Sequence, residues 1–334
     1  MSDVTVPERT PPRSEPGSIL LEEHLVLPGV AGDPGEPGII YSLHDSESAR
    51  LEEMSRHGVD RMVLSVRAPG VQGIISPAEA VKAATEVNDY LAGLVERHPS
   101  HYSAFAALPF QDIPAAIDEL VRAVRQLGLV GVMINGYTDD GEGNGIYCDD
   151  LRFLPFWEAV DDLAVPVYLH PRRPLERGGY GGYAELEKAP STWAFGVETA
   201  VHALRLMLSG LFDRFPGLRL VLGHMGELLP YAMWRFDNRS RLECPVRLER
   251  TISEYVAENC YITTSGVLDD DVLRLVLAKV GQRRVLFSVD YPFESLEEAD
   301  RWITTTPILD PETRARVMRL NALELFEPTS SSWS

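Results

Sequence analysis

The chain has 334 residues, 45% of them apolar, and its 50 acidic against 31 basic side chains give a formal net charge of −19. That length and apolar content suit one large domain with a sizeable core. The negative charge repels phosphate backbones, which argues against nucleic acid and anionic membranes as main partners.

The elements follow in chain order. Residues 1–17, rich in Pro, Glu, Arg and Ser, read as disordered. They lack the apolar core of a signal peptide, and no apolar run approaches the ~18 residues of a membrane span. The first strand is expected over 19–24 and closes on Glu22-Glu23-His24. Residues 28–38, with four glycines and three prolines, read as a loop above it. A helix over 45–57, a strand over 61–66, a helix over 77–97 and a strand over 102–107 come next. The helix over 112–127 has the clearest period: Ile113, Ala116, Ile117, Leu120, Val121, Val124 and Leu127 share one face, and Gly128 caps its end. A strand over 129–135 ends at Asn135-Gly136, and a helix over 151–163 leads to a strand over 165–170 that closes on His170-Pro171. Then come a helix over 195–214, a strand over 218–223 running into Gly223-His224-Met225-Gly226-Glu227, and a helix over 227–240. A strand over 260–264, a helix over 269–279, a strand over 285–289 ending at Asp290, and a helix over 311–326 complete the list; the tail from Pro328 reads as flexible.

Eight strands alternating with helices predict a (β/α)₈ TIM barrel over 18–327. A doubly wound sheet is the alternative, but it gathers ligands at one switch point. It does not account for acids and histidines at four separate strand ends. In a barrel those ends form one face, so Glu22, His24, His170, His224 and Asp290 are expected in one site.

Each motif has a structural reading beside the chemical one. Glu22 and His24 stand two apart on a strand and point to the same side, while Glu23 faces away. Carboxylate and imidazole together suit Zn²⁺, Mn²⁺ or Fe²⁺, although a solvated charge cluster has the same spelling. His170 is either a hydrogen-bonded core residue or a ligand. Gly223 and Gly226 let the backbone turn sharply around His224, and Glu227 can orient its imidazole; a helix N-terminus with an acid in its first turn is the alternative. Asp290 alone fits a helix N-cap. Taken together, the structural readings would each have to hold at a strand end on the same face. The histidines at 44, 57, 98, 101 and 202 fall in helices or polar loops and receive no role. Cys148, Cys244 and Cys260 have no metal-ligand spacing and fit reduced thiols in a cytoplasmic protein. No Gly-x-Ser-x-Gly elbow occurs.

Seven stretches carry a family resemblance: L-E-E-H, A-F-A-A-L-P, Y-L-H-P-R, T-W-A-F-G-V-E-T-A-V-H-A-L-R-L-M, L-G-H-M-G-E-L-L-P-Y-A-M-W-R, I-T-T-S-G and L-F-S-V-D-Y-P-F-E. With them the chain resembles the metal-dependent decarboxylase branch of the amidohydrolase superfamily, the group of aminocarboxymuconate semialdehyde decarboxylase. Within it the likeness is nearest to the γ-resorcylate (2,6-dihydroxybenzoate) decarboxylases. The resemblance implies one divalent metal ion per chain, zinc or manganese, held by Glu22, His24, His170 and Asp290. It implies that His224 and Glu227 assist the chemistry, and Asp290 is the candidate acid. The implied reaction is reversible, non-oxidative decarboxylation of an ortho-hydroxybenzoate, an aromatic carboxylate. It also implies a homodimer or homotetramer, with Arg235 reaching a neighbouring subunit's site. Three departures fall where substrate is recognised: a shorter, glycine-richer segment after Leu27, a changed segment from Arg172 to Tyr183, and Arg67 in place of a small polar residue. Arg67 or Arg50 is expected to add a guanidinium toward the anionic substrate. The rival reading is a metal-dependent hydrolase of an ester, lactone or amide, with Asp290 as base. A non-catalytic metal-binding or scaffold protein is the third.

Overall fold

The computed structural model describes residues 16–27, 44, 47–175, 186, 188–243 and 247–327. The glycine-rich loop expected over 28–38, most of the segment after Arg172, Cys244 and the tail from 328 lie outside these residues. The eight strands are β1 (Ser18–Leu25), β2 (Val59–Val66), β3 (Tyr102–Ala106), β4 (Gly131–Asn135), β5 (Val167–His170), β6 (Leu220–Leu222), β7 (Cys260–Thr263) and β8 (Val285–Leu286). They run in the order β1 to β8, each parallel to the next, with helices between: the TIM barrel expected from the sequence. Their near-continuous apolar runs follow from burial on both faces, against the barrel interior and against the helices.

The differences have physical causes. Two helices, Ile252–Asn259 and Leu296–Thr305, were not expected. Both are too short to show a clear period. Their N-terminal signals were nonetheless present: Thr251 and Glu254 form a reciprocal capping box, and Ser295 caps the second helix by accepting from the Glu298 N–H at 3.3 Å. The helix expected over 195–214 breaks into Ala194–Leu208 and Leu211–Arg214 at Gly210, which has φ 77°. The final helix carries a π turn over Arg316–Leu320, and the Val317 carbonyl there accepts from the Phe287 N–H at 2.8 Å. At the other end of the chain, Gly17 is tied by its N–H to Asp60 at 2.9 Å.

β8 is shorter than its apolar run. Beyond Leu286 its backbone pairs with side chains and loops: Thr264 Oγ1 donates to the Ser288 carbonyl at 2.8 Å and accepts from the Ser288 N–H at 3.1 Å. In β1 the pairing register slips between Leu20 and Glu23. This bulge decides where the acids point. Strict alternation would put Glu22 on the outer side with Leu20, opposite inward-facing Leu21. The extra residue re-phases the strand, so Leu21 and Glu22 both face inward, Glu23 outward and His24 inward.

The lower half of the barrel interior is filled by Ile19, Leu21, Phe105, Tyr168 and Leu286, and Leu325 and Phe326 of the terminal helix close it from below. Above Tyr168 the interior turns polar.

Candidate metal centre

Glu22, His24, His170 and Asp290 each offer one ligand atom within 4.8 Å of all the others. They come from the C-terminal ends of β1, β5 and β8, as the barrel face requires. Two of them, His24 and Glu22, are held by neighbours that leave one atom for an ion. The His24 Nδ1 pairs with Ser65 Oγ at 3.1 Å, which turns its Nε2 inward; that atom has no aligned hydrogen bond although Asp290 Oδ1 stands 3.2 Å away. One oxygen of Glu22, Oε2, accepts from the hydroxyls of Tyr168, Ser265 and Thr263. The other, Oε1, is buried without a hydrogen-bond donor, 3.4 Å from His170 Nε2. Gly223 permits this approach: a Cβ there would lie 2.6 Å from Glu22 Oε2.

A second group adjoins the first. His224, Met225, Gly226, Glu227 and Leu228 all have positive φ, from 47° to 84°. Such a run is unfavourable for residues with a Cβ and is found chiefly at functional sites. Here it folds Glu227 back onto its own histidine, so His224 Nδ1 pairs with Glu227 Oε1 at 2.8 Å and Nε2 faces Asp290 Oδ2 at 3.4 Å. The helix consequently starts at Leu229, past the expected 227. Asp290 itself has φ 76°.

The electrostatics divide these residues. Burial pushes the Glu22 carboxyl above its ordinary value. Burial, with the charge of His24, holds His170 well below the ordinary histidine range, so its imidazole is neutral and free to coordinate. At His224 burial opposes the charged form, but Glu22, Glu227 and Asp290 overcome it and raise the group well above its usual range. At Asp290 burial also opposes charge, and the neighbouring imidazoles of His224 and His24 outweigh it, keeping the carboxyl below the usual range. The side chains of Asp290 and His224 are 16% and 25% exposed, whereas Glu22 and His24 are sealed. Two imidazoles and two carboxylates fit a divalent transition ion, and the two carboxylates match its charge.

The amidohydrolase family model matches residues 41–327. The γ-resorcylate decarboxylase of a Rhizobium species is 43% identical over 324 residues, covering 93% of this chain and 98% of the relative. The crystal structure of a 2,6-dihydroxybenzoate decarboxylase complexed with 2,6-dihydroxybenzoate superposes with a TM-score of 0.87 at 41% identity, over 94% of this chain and 99% of the other. The chain belongs to the amidohydrolase family, in its decarboxylase branch. A dihydroxybenzoic acid decarboxylase from a Polaromonas species, solved with manganese and the inhibitor 2-nitroresorcinol, superposes with a TM-score of 0.85 at 39% identity, over 95% and 98% of the two chains.

In this amidohydrolase the three arginines expected at the substrate lie in different places. Arg67 packs its guanidinium 5.2 Å from the Phe293 ring, which itself lies 6.0 Å from the His24 ring, at the edge of the site. Arg50 lies behind the end of β1. It is fully buried, donates through Nη2 to the His24 carbonyl at 2.7 Å and lies over the Tyr291 ring, so it braces the end of β1. Arg235 is exposed on the helix Leu229–Glu243, outside this cluster of its own chain.

Several residues of the site carried no signal in the sequence. Ser65, Tyr168, Thr263, Ser265 and Ser288 are ordinary residues in or just beyond strands until the barrel brings their hydroxyls to the site. Glu23 was expected to face away, and it does so into a buried pocket. There burial pushes its carboxyl up, while the donors Ser288, Val289 and Tyr291 and the charge of Arg50 favour the ionised form that accepts their bonds. His202 had no assigned role; it is fully buried, and its Nε2 accepts from the Cys148 N–H at 3.1 Å.

Proposed function

We propose that this amidohydrolase carries out the reversible, non-oxidative decarboxylation of a 2,6-dihydroxybenzoate-type phenolic acid with a hydroxyl ortho to its carboxylate. The observation that carries the reading is the His224 imidazole held between Glu227 and Asp290 at the open edge of the Glu-His-His-Asp cluster. Glu22, His24, His170 and Asp290 would hold one zinc or manganese ion. When bound, the ion supplies Lewis-acid polarisation and orients the carboxylate and the neighbouring phenolic oxygen.

Direct loss of carbon dioxide would leave an aryl carbanion orthogonal to the ring π system. Protonating the ring carbon that bears the carboxylate avoids it: the ring supplies the electron pair for the new C–H bond. Cleavage of the C–C bond then returns a pair to the ring and releases carbon dioxide. Asp290 faces the substrate side and is the donor to that carbon. It rests as a carboxylate, so the proton has to reach it first. His224, whose Nε2 lies 3.4 Å from Asp290 Oδ2, is the source, and Glu227 keeps the imidazole aligned.

Arg67 at the rim offers local positive charge to an anionic substrate on an otherwise acidic chain. The assembly in this reading is a homodimer or homotetramer. Tyr231 and Trp234 support it: at 86% and 72% exposure they put two large aromatics on the surface next to Arg235. No helix among the described residues is long and apolar enough to cross a membrane, and the buried Cys148 and Cys260 are free thiols, which fits a cytoplasmic enzyme.

The deciding experiment offers salicylate, dihydroxybenzoates and alkylated dihydroxybenzoates to the metal-loaded protein in deuterated buffer. Carbon dioxide release should accompany one deuterium on the carbon that lost the carboxylate. Equal turnover of a benzoate lacking the ortho hydroxyl would overturn the orientation argument. Ester or lactone hydrolysis without carbon dioxide would favour a hydrolase.

A further inference from the structure

β1 and β8 meet through one bridge, Glu23 with Tyr291, whereas every other neighbouring pair forms a ladder. The seam is drawn together by a buried side-chain knot. The Ser288 hydroxyl accepts from the successive N–H groups of Leu21 at 2.9 Å and Glu22 at 2.8 Å, and donates to Glu23 Oε1 at 2.9 Å. That Glu23 oxygen also accepts from the Val289 N–H at 3.3 Å, and Oε2 accepts from the Tyr291 N–H at 3.0 Å. Ser288 and Glu23 are fully buried, so water cannot replace these bonds.

We propose that Ser288 and Glu23 are positioning residues that set two ligands of the metal centre, Glu22 and Asp290, by holding the β1 bulge and the turn at Asp290. The inference rests on the metal-site reading above. The bulge that turns Glu22 inward leaves two successive N–H groups converging on one point, and Ser288 Oγ is the acceptor there. Removing it leaves two buried donors unpaired, and restoring regular alternation would carry Glu22 toward the side of Leu20. At β8, Asp290 holds a backbone conformation disfavoured for a residue with a Cβ. Glu23 grips the N–H groups of the residues on either side of it. Both carboxylate oxygens act as acceptors, so an amide would set its own N–H₂ against a donor. Neither residue reaches the substrate. Both act through the ligands, as outer partners of metal sites do.

The test titrates Mn²⁺ into the full-length protein and its Ser288→Ala, Ser288→Thr and Glu23→Gln variants, following free and bound ion by electron paramagnetic resonance. Melting of the metal-free proteins is recorded separately. Ser288→Ala and Glu23→Gln should bind Mn²⁺ about 10–100-fold more weakly, with an altered bound-ion line shape, and Ser288→Thr, which keeps the hydroxyl, should restore both. A residue that merely supports the fold would lower the melting temperature and leave the affinity of the folded protein unchanged. Wild-type affinity and line shape in folded Ser288→Ala would overturn the proposal, as would a Ser288→Thr variant no better than alanine. If Glu23→Gln does not fold, the two serine variants decide. Failure of the wild-type protein itself to bind Mn²⁺ would sink the metal-site reading instead.

Discussion

The two ends of the barrel interior are built from the same strands and differ in almost every physical respect. Below, Ile19, Leu21, Phe105 and Leu286 meet the plug formed by Leu325 and Phe326, an apolar cluster that excludes water. Above, one to four residues further along the same runs, Glu22, His24, His170 and Asp290 crowd their polar atoms together. The lower end gains stability from area removed from water. The upper end desolvates charged groups, which is costly until they are paired or coordinate an ion. Tyr168 sits on the border, its ring packed below on Phe105 and its hydroxyl on Glu22 above. The contrast teaches that the fold is held from one end and the chemistry set at the other, so the two should fail independently.

Substitutions can break that contrast from either side. The largest expected effect is at the upper end. Asp290→Asn should reduce decarboxylation by about 10²–10⁴-fold or more, the span of a lost general acid, with melting near that of the wild type. An active Asp290→Asn protein at full metal occupancy would remove Asp290 from the donor role.

Phe326→Ala tests the lower end. It should cost about 3–5 kcal/mol of stability, typical of a truncated buried aromatic, in chemical unfolding. Turnover per folded molecule at moderate temperature should be unchanged. A matching fall in turnover would show that the plug and the site are coupled and the contrast false.

The third prediction concerns a histidine outside both ends. Burial holds His202 neutral, lowering it from an ordinary 6.5 to about 3. The unfolded chain therefore binds a proton that the folded chain refuses between pH 6.5 and 3. The contribution is fully present above 6.5 and is lost as pH falls through that window, amounting to about 2 kcal/mol by pH 5. Unfolding free energies measured from pH 7 to 5 should fall less steeply in His202→Gln. Identical slopes would place the acid sensitivity elsewhere.

The smallest effect on the fold is expected at the surface. Arg235→Ala should leave the melting of the chain within about 0.5 kcal/mol while weakening self-association or substrate capture. Light scattering and turnover at several protein concentrations measure this, and an active wild-type monomer would remove the subunit-sharing role of Arg235.

Much of this was legible in the primary structure because strand ends have a local signature. An apolar run long enough to be buried on both faces, broken abruptly by Glu, His or Asp, reports a side chain at the barrel mouth whatever its partners are. Glu22, His24, His170, His224 and Asp290 were found that way, and Glu227 by its spacing from His224. The two short helices at Ile252–Asn259 and Leu296–Thr305 escaped because periodicity needs length, although their caps were present in the sequence.

The sequence by itself determined the eight apolar runs, the alternation that makes a barrel and the ionisable residues that end four of the strands, since burial and backbone periodicity are local requirements. The side shared by Glu22 and His24 was legible in their spacing; tertiary structure alone decided how β1 reaches that arrangement and what holds those residues. A one-residue slip in β1 moves Glu22 from the outer side to the side of the candidate metal cluster, and the Arg50 guanidinium braces the His24 carbonyl. Ser288 and Glu23 join across 265 residues of chain, a distance over which no sequence pattern carries information. The physical reason is that a hydroxyl or carboxylate is satisfied by whichever donor or acceptor the closed barrel brings within 3 Å, and closure is a property of all eight strands at once.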